Sequence, residues 1–352
     1  MTRLERVKLI GHNQASIPIG KSRIMIVSKT PLRMSFVGGG SDLPAFYREE
    51  VGAVLSTSID KYMYICVNKK FDGRIRISYT KTEDVERRHE VEHPIVREAL
   101  DLVGIDGGIE IASMADIPSK GSGLGSSSTY AVGLLNALYA YRNQFASKEI
   151  LASQACEIEI DRCGEPIGKQ DQYAAAYGGL NLIRFHPDDS VSVDPVICKP
   201  SLLQEMEDST LVFFTGRTRS ASAVLASQSE AMKANDRRLL MRRMVQLAFE
   251  MKEQLESGTL GNLGELLDEN WCLKAQLTSG ISDPQIDAWY DSGMSNGALG
   301  GKLLGAGNGG FIMFYAPKDR HAQITKALSD LEPVKFRFDR GGAQIVFYQP
   351  PQ

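Results

Sequence analysis

The chain has 352 residues, of which 43% are hydrophobic and 24% are charged, and its formal net charge is −3 at pH 7. This length predicts a globular protein of about two domains with a sizeable core. The small net charge gives no reason to expect nucleic acid or an anionic membrane surface as a partner, so any anionic ligand must be bound by local groups.

The cysteines and the N-terminus indicate the compartment. The five cysteines are scattered and include no CxxC pair, which disfavours a disulfide framework and a zinc site and favours a reducing environment. Residues 1–22 form a leader of weak pattern without the apolar run of a signal peptide, and no stretch of about 18 apolar residues occurs. We therefore expect a cytoplasmic protein that does not enter the membrane.

The first part of the chain predicts strands joined by glycine-rich turns. After the first two strands comes the turn Gly38-Gly39-Gly40-Ser41-Asp42, and a short helix is expected near residues 43–49. Residues 81–93 are densely charged with both signs, which favours a solvated loop or helix face. Strands are predicted at residues 23–28, 32–37, 54–67, 74–79 and 108–114.

The next element is a glycine-serine loop, GSGLGSSST at residues 121–129, which directly precedes the apolar, helix-favouring run 130–141. Glycines let backbone N–H groups surround an anion, and a helix N-terminus adds a partial positive charge. The order of residues matches neither GxxxxGK[ST] nor GxGxxG, so the two commonest phosphate-binding folds are disfavoured. The alternative for this segment alone is a flexible loop that caps an ordinary helix.

The second part of the chain alternates helices and strands around another glycine-rich loop. A helix is expected at 147–163, a domain boundary in the Pro- and Asp-rich segment 186–200, and a long helix at 220–255 whose arginines form a solvated face. The second glycine-rich loop, within residues 297–317, precedes a strand at 311–315. Further elements are a strand at 210–214, a helix at 319–331 and strands at 334–339 and 343–348. The fold class is therefore α+β.

Two acidic residues have spacings suited to phosphoryl transfer, which needs a metal carboxylate and a group that holds the acceptor hydroxyl. On a helix, Glu157 and Asp161 share a face, whereas Glu159 points elsewhere and is free for a metal. Asp171, in GKQDQY beside Lys169, suits a base or an orienting acceptor, because a neighbouring cation keeps a carboxylate ionised. The alternative for Asp171 is a helix cap or a turn residue.

Three segments together resemble the GHMP kinases, the family of galactokinase, homoserine kinase, mevalonate kinase and phosphomevalonate kinase. GSGLGSSS is similar to the family's second motif, TPLRMSFVGGGSDLP (30–44) to its first and KLLGAGNGG (302–310) to its third, and they occur in the family's order. The resemblance implies a two-domain fold, with a ribosomal-protein-S5-like N-terminal β-α domain and a ferredoxin-like α/β-plait C-terminal domain. The expected ATP-binding domain is 23–200 and the C-terminal domain 201–352, with the nucleotide at the glycine-serine loop between them.

By position, the resemblance assigns roles to individual residues. Asp171 matches the carboxylate that accepts or orients the sugar hydroxyl proton, and Arg33 the cation that polarises the transferred group and holds the aspartate charged; these are the expected catalytic residues. Ser127 and Glu159 match the Mg²⁺ ligands. The expected ATP-binding residues are Gly121, Ser122, Gly123, Leu124, Gly125, Ser126, Ser127 and Ser128. The expected substrate-binding residues are Gly39, Gly40, Asp42, Lys169, Arg217, Arg219, Gly305, Gly307 and Gly309.

Within the family, TPLRMSFVGGGSDLPAFY, GEPIGKQDQYAAAYGGLN and FFTGRTRS most resemble the kinases of D-glycero-D-manno-heptose 7-phosphate. The resemblance implies transfer from ATP, with Mg²⁺, to the anomeric C1 hydroxyl, giving the 1,7-bisphosphate used in nucleotide-activated heptose biosynthesis for surface polysaccharide. The partners would be ATP and a sugar phosphate, and a homodimer is allowed. A substrate phosphate needs its own cations, and Arg217 and Arg219, supplemented by Lys169, are the expected ones.

Alternatives and departures accompany this expectation. The alternatives are a GHMP kinase of an unphosphorylated sugar, such as fucose or galactose, and a non-catalytic sugar-sensing relative. An oxidoreductase is disfavoured because no GxGxxG follows the first strand. Lys120 looks like a one-residue insertion beside the glycine-serine loop, and the third motif has Asn308 where glycine is commoner; asparagine tolerates positive φ better than other non-glycine residues.

Overall fold

The computed structural model describes residues 24–117, 121–217 and 221–349. The predicted leader, Lys120 and Arg219 lie outside these residues. The elements up to Pro195 are β1 (Met25–Val37), α1 (Pro44–Tyr47), β2 (Gly52–Lys69), β3 (Ile75–Ser78), β4 (Thr82–Val85), α2 (Pro94–Val103), β5 (Ile109–Ala115), α3 (Ser126–Tyr141), α4 (Lys148–Cys156), α5 (Gln170–Tyr177), β6 (Leu180–Phe185) and β7 (Val191–Pro195). Short 3₁₀ turns at Arg88–Glu90 and Lys318–Arg320 and a π-helical segment at Glu157–Arg162 complete the set.

The remaining elements cover the rest of the described chain. They are α6 (Pro200–Asp208), β8 (Thr210–Phe214), α7 (Ala221–Ala231), α8 (Asn235–Glu256), α9 (Leu263–Ala275), α10 (Pro284–Ser295), β9 (Gly300–Leu303), β10 (Phe311–Tyr315), α11 (His321–Ala327), β11 (Glu332–Pro333), β12 (Phe338–Asp339) and β13 (Gln344–Gln349). The sequence patterns gave no expectation of α2, α5, α6, α9 or α10. The predicted strands 210–214 and 311–315 are confirmed residue for residue.

The described strands form two sheets. The larger has nine strands and contains the path β13-β1-β2-β5-β3-β4, while β6 and β12 pair with β2 and β7 pairs with β6. Its pairs are antiparallel except β3 with β5. The smaller sheet has the order β11-β8-β10-β9 and is antiparallel. The two-domain α+β fold expected from the sequence is thus present.

The long strand β1 joins what the sequence predicted as two strands separated by Pro31. The strand is continuous because the backbone tolerates proline where one ladder ends: β13 pairs with β1 only from Met25 to Lys29, and the pairing with β2 shifts register next to Pro31. Side chains alternate beyond this point, so Leu32 and Met34 enter one hydrophobic core while Arg33 faces the opposite way.

The predicted helix 220–255 is instead two helices, α7 and α8. The break at residues 232–234 turns the chain so that Met232, only 1% exposed, reaches the same core as Met241. The arginines of α8 are not merely solvated, which corrects the expectation: Arg238 is buried and binds Glu49 at 2.7 Å, so it links the C-terminal helices to the segment after α1.

The two hydrophobic cores show how the parts of the chain meet. One packs α2 to α5 against the larger sheet, and the other joins β1 and β2 to α8, α9 and the smaller sheet. The division at residue 200 stays a prediction. It assigns β12 and β13 to the C-terminal part, whereas their hydrogen bonds lie in the larger sheet. No helix among the described residues is long and apolar enough to cross a membrane.

Candidate active site

A cavity of about 710 Å³ lies where the two glycine-rich loops meet. One end is lined by residues 121–123 and 125–128 of the glycine-serine loop and by Glu159; Leu124 of the same loop is buried in a hydrophobic core instead. The other end is lined by Asp42, Gln170, Gln228 and Lys274, which come from the turn after β1 and from α5, α7 and α9. The cavity therefore has walls from both halves of the chain.

The glycine-serine loop is held in a conformation that glycine favours. Gly121, Gly123 and Gly125 have φ of 68°, 73° and 77°, in the left-handed region. Helix α3 then begins at Ser126, and the first N–H groups of a helix have no partner within it. The loop and helix start thus present backbone donors and a partial positive charge to the cavity, which suits a phosphate.

The two glycine loops touch each other. A Cβ on Gly123 would lie 2.4 Å from the Leu304 carbonyl oxygen, and a Cβ on Gly305 would lie 2.4 Å from the Gly123 Cα. Both distances are far below a normal contact, so neither position has room for a side chain. Gly305 therefore supports the glycine-serine loop by direct contact, and it also lines the cavity.

Arg33 and Asp171 form a bidentate ion pair between the two ends of the cavity. The Arg33 Nε and Nη2 atoms donate to the two Asp171 carboxylate oxygens, both at 2.8 Å, and Nη1 donates to the Gly123 carbonyl oxygen at 2.6 Å. The Arg33 side chain is 4% exposed and that of Asp171 is 23% exposed. This geometry fixes the carboxylate beside the glycine-serine loop while leaving one side of it open to the cavity. The cation at Asp171 is thus Arg33, and not the sequence neighbour Lys169.

Glu159 lies on the π-helical segment that continues α4, and such segments are frequent at functional sites. As the spacing predicts, Glu159 is buried while Asp161 is exposed. Its carboxylate accepts from the Ser127 hydroxyl at 2.6 Å and from the Gln172 amide at 2.7 Å. Burial raises the pKa of Glu159 to about 7, although hydrogen bonds from Ser127, Ser128 and Gln172 oppose the shift.

The Ser127 and Glu159 pair fits a divalent cation. Mg²⁺ commonly takes one or two protein oxygens and completes its shell with water and substrate phosphates. A buried carboxylate without a cationic partner is stabilised by such an ion. Among the described residues no cluster of three or more acidic, histidine or cysteine side chains could hold a metal ion. Ser127 and Glu159 would hold the cation together with phosphate oxygens and water.

Asp42 organises the opposite end of the cavity. Its carboxylate accepts from the backbone N–H groups of Gly40 at 3.0 Å and of Gln170 at 3.2 Å. A Cβ on Gly168 would lie 1.9 Å from the Asp42 Oδ2 atom, so glycine is required there for close packing. Burial, and the neighbouring Asp171 carboxylate, raise the pKa of Asp42. Asp42 thereby fastens the turn after β1 to the start of α5.

The cavity residues that the sequence analysis missed include Lys274 and Gln228. The Lys274 ammonium, buried on α9, donates to the Gly305 carbonyl oxygen at 2.8 Å. The Gln228 amide, fully buried on α7, donates to the Ala306 carbonyl oxygen at 3.2 Å. Burial lowers the pKa of Lys274 to about 8, with Asp42 acting in the opposite direction. Neither residue belongs to a motif, and the available signal was a polar residue on the apolar face of a helix.

Several predicted substrate residues lie away from the cavity lining. Lys169 binds Asp189, with its Nζ 3.1 Å from Oδ1. Arg217 binds Asp283 at 2.8 Å, and its carbonyl oxygen accepts from the Gly310 N–H. The third loop is strongly turned, because Gly307, Asn308 and Gly309 have φ of 127°, 62° and 145°. The positive φ at Asn308 is the conformation that the sequence analysis expected it to tolerate.

Comparisons with known proteins agree with this geometry. The family models described as GHMP kinases N terminal domain and GHMP kinases C terminal match residues 93–179 and 251–332. The chain is 31% identical to the D-glycero-alpha-D-manno-heptose 7-phosphate kinase of Campylobacter jejuni, over 86% of this chain and 93% of that protein. It is 28% identical to the bifunctional fucokinase/GDP-fucose pyrophosphorylase of Arabidopsis thaliana, over 81% of this chain and 29% of that protein.

A similar solved structure is the D-glycero-D-manno-heptose 1-phosphate kinase of Bacteroides thetaiotaomicron. Its TM-score is 0.76 and its identity 27%, and the match covers 92% of this chain and 99% of that one.

Proposed function

This chain belongs to the GHMP kinase family and is an ATP-dependent sugar kinase, and we propose that its acceptor is D-glycero-D-manno-heptose 7-phosphate. The reaction would transfer the ATP γ-phosphoryl group to the anomeric C1 hydroxyl and give the 1,7-bisphosphate. The observation that carries the proposal is the bidentate Arg33–Asp171 pair, which fixes a carboxylate beside a phosphate-binding loop. The relative that is 31% identical over most of both chains supports the choice of sugar.

The ATP phosphates would bind at the glycine-serine loop, residues 121–128. Its backbone N–H groups and the N-terminus of α3 would bind the negatively charged phosphate oxygens. The Ser122 hydroxyl lies 3.0 Å from the Ser126 hydroxyl, and this hydrogen bond stiffens the loop. Ser127 and Glu159 would hold Mg²⁺. When bound, this ion supplies positive charge at the oxygens of the transferred phosphoryl group.

The acceptor hydroxyl would bind at Asp171. Because both carboxylate oxygens already accept from Arg33, Asp171 is held in one orientation and aligns the hydroxyl, whose proton it takes as the new O–P bond forms and the bond to ADP breaks. Arg33 also donates to the Gly123 carbonyl oxygen, so it joins the acceptor end to the ATP end. Such positioning and electrostatics supply most of the catalysis in phosphoryl transfer.

The phosphate of the substrate needs a cation apart from the ATP loop. We keep Arg219 as the first candidate, although it lies outside the described residues, because Arg217 on the same TGRTRS segment is occupied by Asp283. The test compares KM for heptose 7-phosphate and for heptose in an Arg219→Met enzyme. We expect a rise for the phosphorylated sugar alone, and an equal effect on both sugars would remove the assignment.

The decisive experiment is a coupled ADP-release assay over phosphorylated and free sugars, with wild type and Asp171→Asn. Asp171→Asn should lower kcat at least ~10²-fold, the lower end of general-base contributions. Asp194→Asn is a matched control, because Asp194 also accepts from an arginine at 2.8 Å but lies away from the cavity. A near-normal kcat for Asp171→Asn would remove its role, and no turnover of ATP with any sugar would favour a sugar sensor.

A kinase of an unphosphorylated sugar is the second candidate. Among the described residues that line the cavity, the cationic side chains are Arg33 and Lys274, and Arg33 is already paired with Asp171. The bifunctional fucokinase relative, which is 28% identical to this chain, supports this candidate. The same sugar panel separates the two candidates.

A further inference from the structure

Three polar side chains that are not among the predicted site residues line the end of the cavity that contains Asp42. They come from different helices: Gln170 from α5, Gln228 from α7 and Lys274 from α9. A Cβ placed on Gly39 would lie 3.6 Å from the Lys274 Nζ and 3.9 Å from the Gln170 Oε1, and one on Gly40 would lie 3.1 Å from the Gln228 Oε1. We call Gln170, Gln228 and Lys274 the amide-lysine cluster.

The two amides are oriented by what their nitrogen atoms bind. The Gln228 Nε2 donates to the Ala306 carbonyl oxygen at 3.2 Å, and the Gln170 Nε2 faces the Asp42 carboxylate at 3.4 Å. Each amide therefore leaves its carbonyl oxygen unbonded. Among the described residues neither Oε1 atom has a hydrogen-bond partner, although both are buried. Buried acceptors of this kind are costly unless a ligand donates to them.

Lys274 adds a donor to these acceptors. One of its three N–H bonds goes to the Gly305 carbonyl oxygen, and it forms no ion pair with any carboxylate of the described residues. Asp42, Asp171 and Arg33 are its charged neighbours in the cavity. The cluster thus offers donors and unpaired acceptors side by side, within the charge cluster that contains Asp171.

We propose that the amide-lysine cluster binds ring hydroxyl groups of the acceptor sugar and so determines which sugars are phosphorylated. A hydroxyl both donates and accepts, so a pair of neighbouring hydroxyls satisfies an amide oxygen and the ammonium together. A phosphate dianion offers acceptors only and cannot satisfy the amide oxygens. This inference rests on the proposed sugar kinase function. It places the unphosphorylated part of the substrate against the amide-lysine cluster.

The inference predicts a selective loss of sugar affinity. Replacing Lys274 by Met, or Gln228 by Met, should raise KM for the best acceptor sugar about 10-fold or more, the effect of losing a hydrogen bond to a charged or buried group. KM for ATP should stay within about twofold. Gln254→Met is the matched control, because the Gln254 Oε1 is also buried and unbonded among the described residues but lies on α8, outside the cavity lining.

A panel of acceptor sugars that each lack one hydroxyl completes the test. The wild type should discriminate against at least one of them about 10-fold or more, and the site variants should not. Equal rises in KM for sugar and ATP in a variant with normal thermal unfolding would overturn the inference. The inference would also be overturned if Lys274→Met raised KM for a phosphorylated sugar but not for the same sugar without the phosphate, since Lys274 would then bind phosphate.

Two further outcomes remain decisive. If the variants do not fold, the wild type alone tests the inference, because equal use of every deoxy analogue would contradict hydroxyl recognition. If the wild type phosphorylates no sugar, the proposed function fails by itself. Calorimetric titration of the same sugars and their deoxy analogues into wild type and variants then decides the inference: loss of binding with loss of a hydroxyl supports it, and unchanged or absent binding overturns it.

Discussion

The contact between the two glycine loops predicts that Gly123→Ala will lower kcat/KM for ATP. The decrease should be far larger than the left-handed backbone conformation at this position would cause by itself. Gly123 has a φ of +73°, so alanine there pays the left-handed penalty, and its Cβ would also lie 2.4 Å from the Leu304 carbonyl oxygen. A normal carbon-oxygen contact is about 3.3 Å or longer, so the loops must separate by roughly 1 Å. A misplacement of that size near reacting groups lowers rates by about 10²-fold.

Gly73 offers a control that isolates the steric part. It has a φ of +79°, yet a Cβ there meets nothing within 4 Å among the described residues. Gly73→Ala should therefore show the left-handed penalty of about 1–2 kcal/mol, less about 0.4–1 kcal/mol from the restricted unfolded chain. Gly123→Ala adds about 1–3 kcal/mol of overpacking, which corresponds to an extra fall in Tm of roughly 2–12 °C.

The assays are thermal unfolding and the ADP-release kinetics of wild type, Gly73→Ala and Gly123→Ala. We expect kcat/KM for ATP to fall about 10²-fold in Gly123→Ala and to change less than about threefold in Gly73→Ala. Gly305→Ala meets the same contact from the other side, so the double variant should cost less than the sum of the two single variants. Equal behaviour of Gly73→Ala and Gly123→Ala, or simple additivity with Gly305→Ala, would refute the interlocking of the loops.

Three other predictions use the same kinetics. Gly168→Ala should raise KM for the sugar about 10-fold, with KM for ATP unchanged, because its Cβ would displace Asp42 from 1.9 Å away; equal effects on both would contradict this. Arg33→Lys should lower kcat at least ~10²-fold, since lysine cannot bind Asp171 through two parallel bonds, and a normal kcat would exclude that role. Burial lowers the pKa of Lys274 to about 8, so the charged form is lost as pH rises through about 8. The kcat/KM for the sugar should therefore fall above about pH 8 in the wild type but not in Lys274→Met. If Lys274→Met shows the same fall, the titrating group is a residue other than Lys274.

The glycine-serine loop was predictable because its chemistry is local. Gly121, Gly123 and Gly125 occupy left-handed positions that few other residues tolerate, and the serines follow directly at the helix start. The sequence pattern alone does not show why position 123 in particular requires glycine. Its missing side chain makes room for Leu304, which is 181 residues away in the sequence, so the requirement arises only once the chain is folded.

Ion pairs were less predictable because adjacency in sequence is a poor guide to adjacency in space. Lys169 stands two residues from Asp171 and was expected to keep it charged, but its ammonium reaches Asp189 instead. Arg33, which the family resemblance and not the local sequence placed beside this aspartate, lies 138 residues away and binds it. Side chains alternate along β1, so Arg33 points away from the core that contains Leu32 and Met34 and faces the cavity. That Asp171, at the start of α5, lies opposite Arg33 depends on how α5 packs against the sheet, which the strand pattern does not determine.

Lys274 and Gln228 required knowledge of the helices that carry them. On α9, the buried Asn270 and Trp271 precede Lys274 by four and three residues, so the lysine continues a core-facing stripe. On α7, Gln228 follows the buried Val224 by four residues in the same way. Burying a polar side chain costs free energy unless a partner satisfies it. A lysine or glutamine on the apolar face of an amphipathic helix therefore indicates a partner outside the helix, and here the structure leaves part of that bonding capacity open toward the cavity.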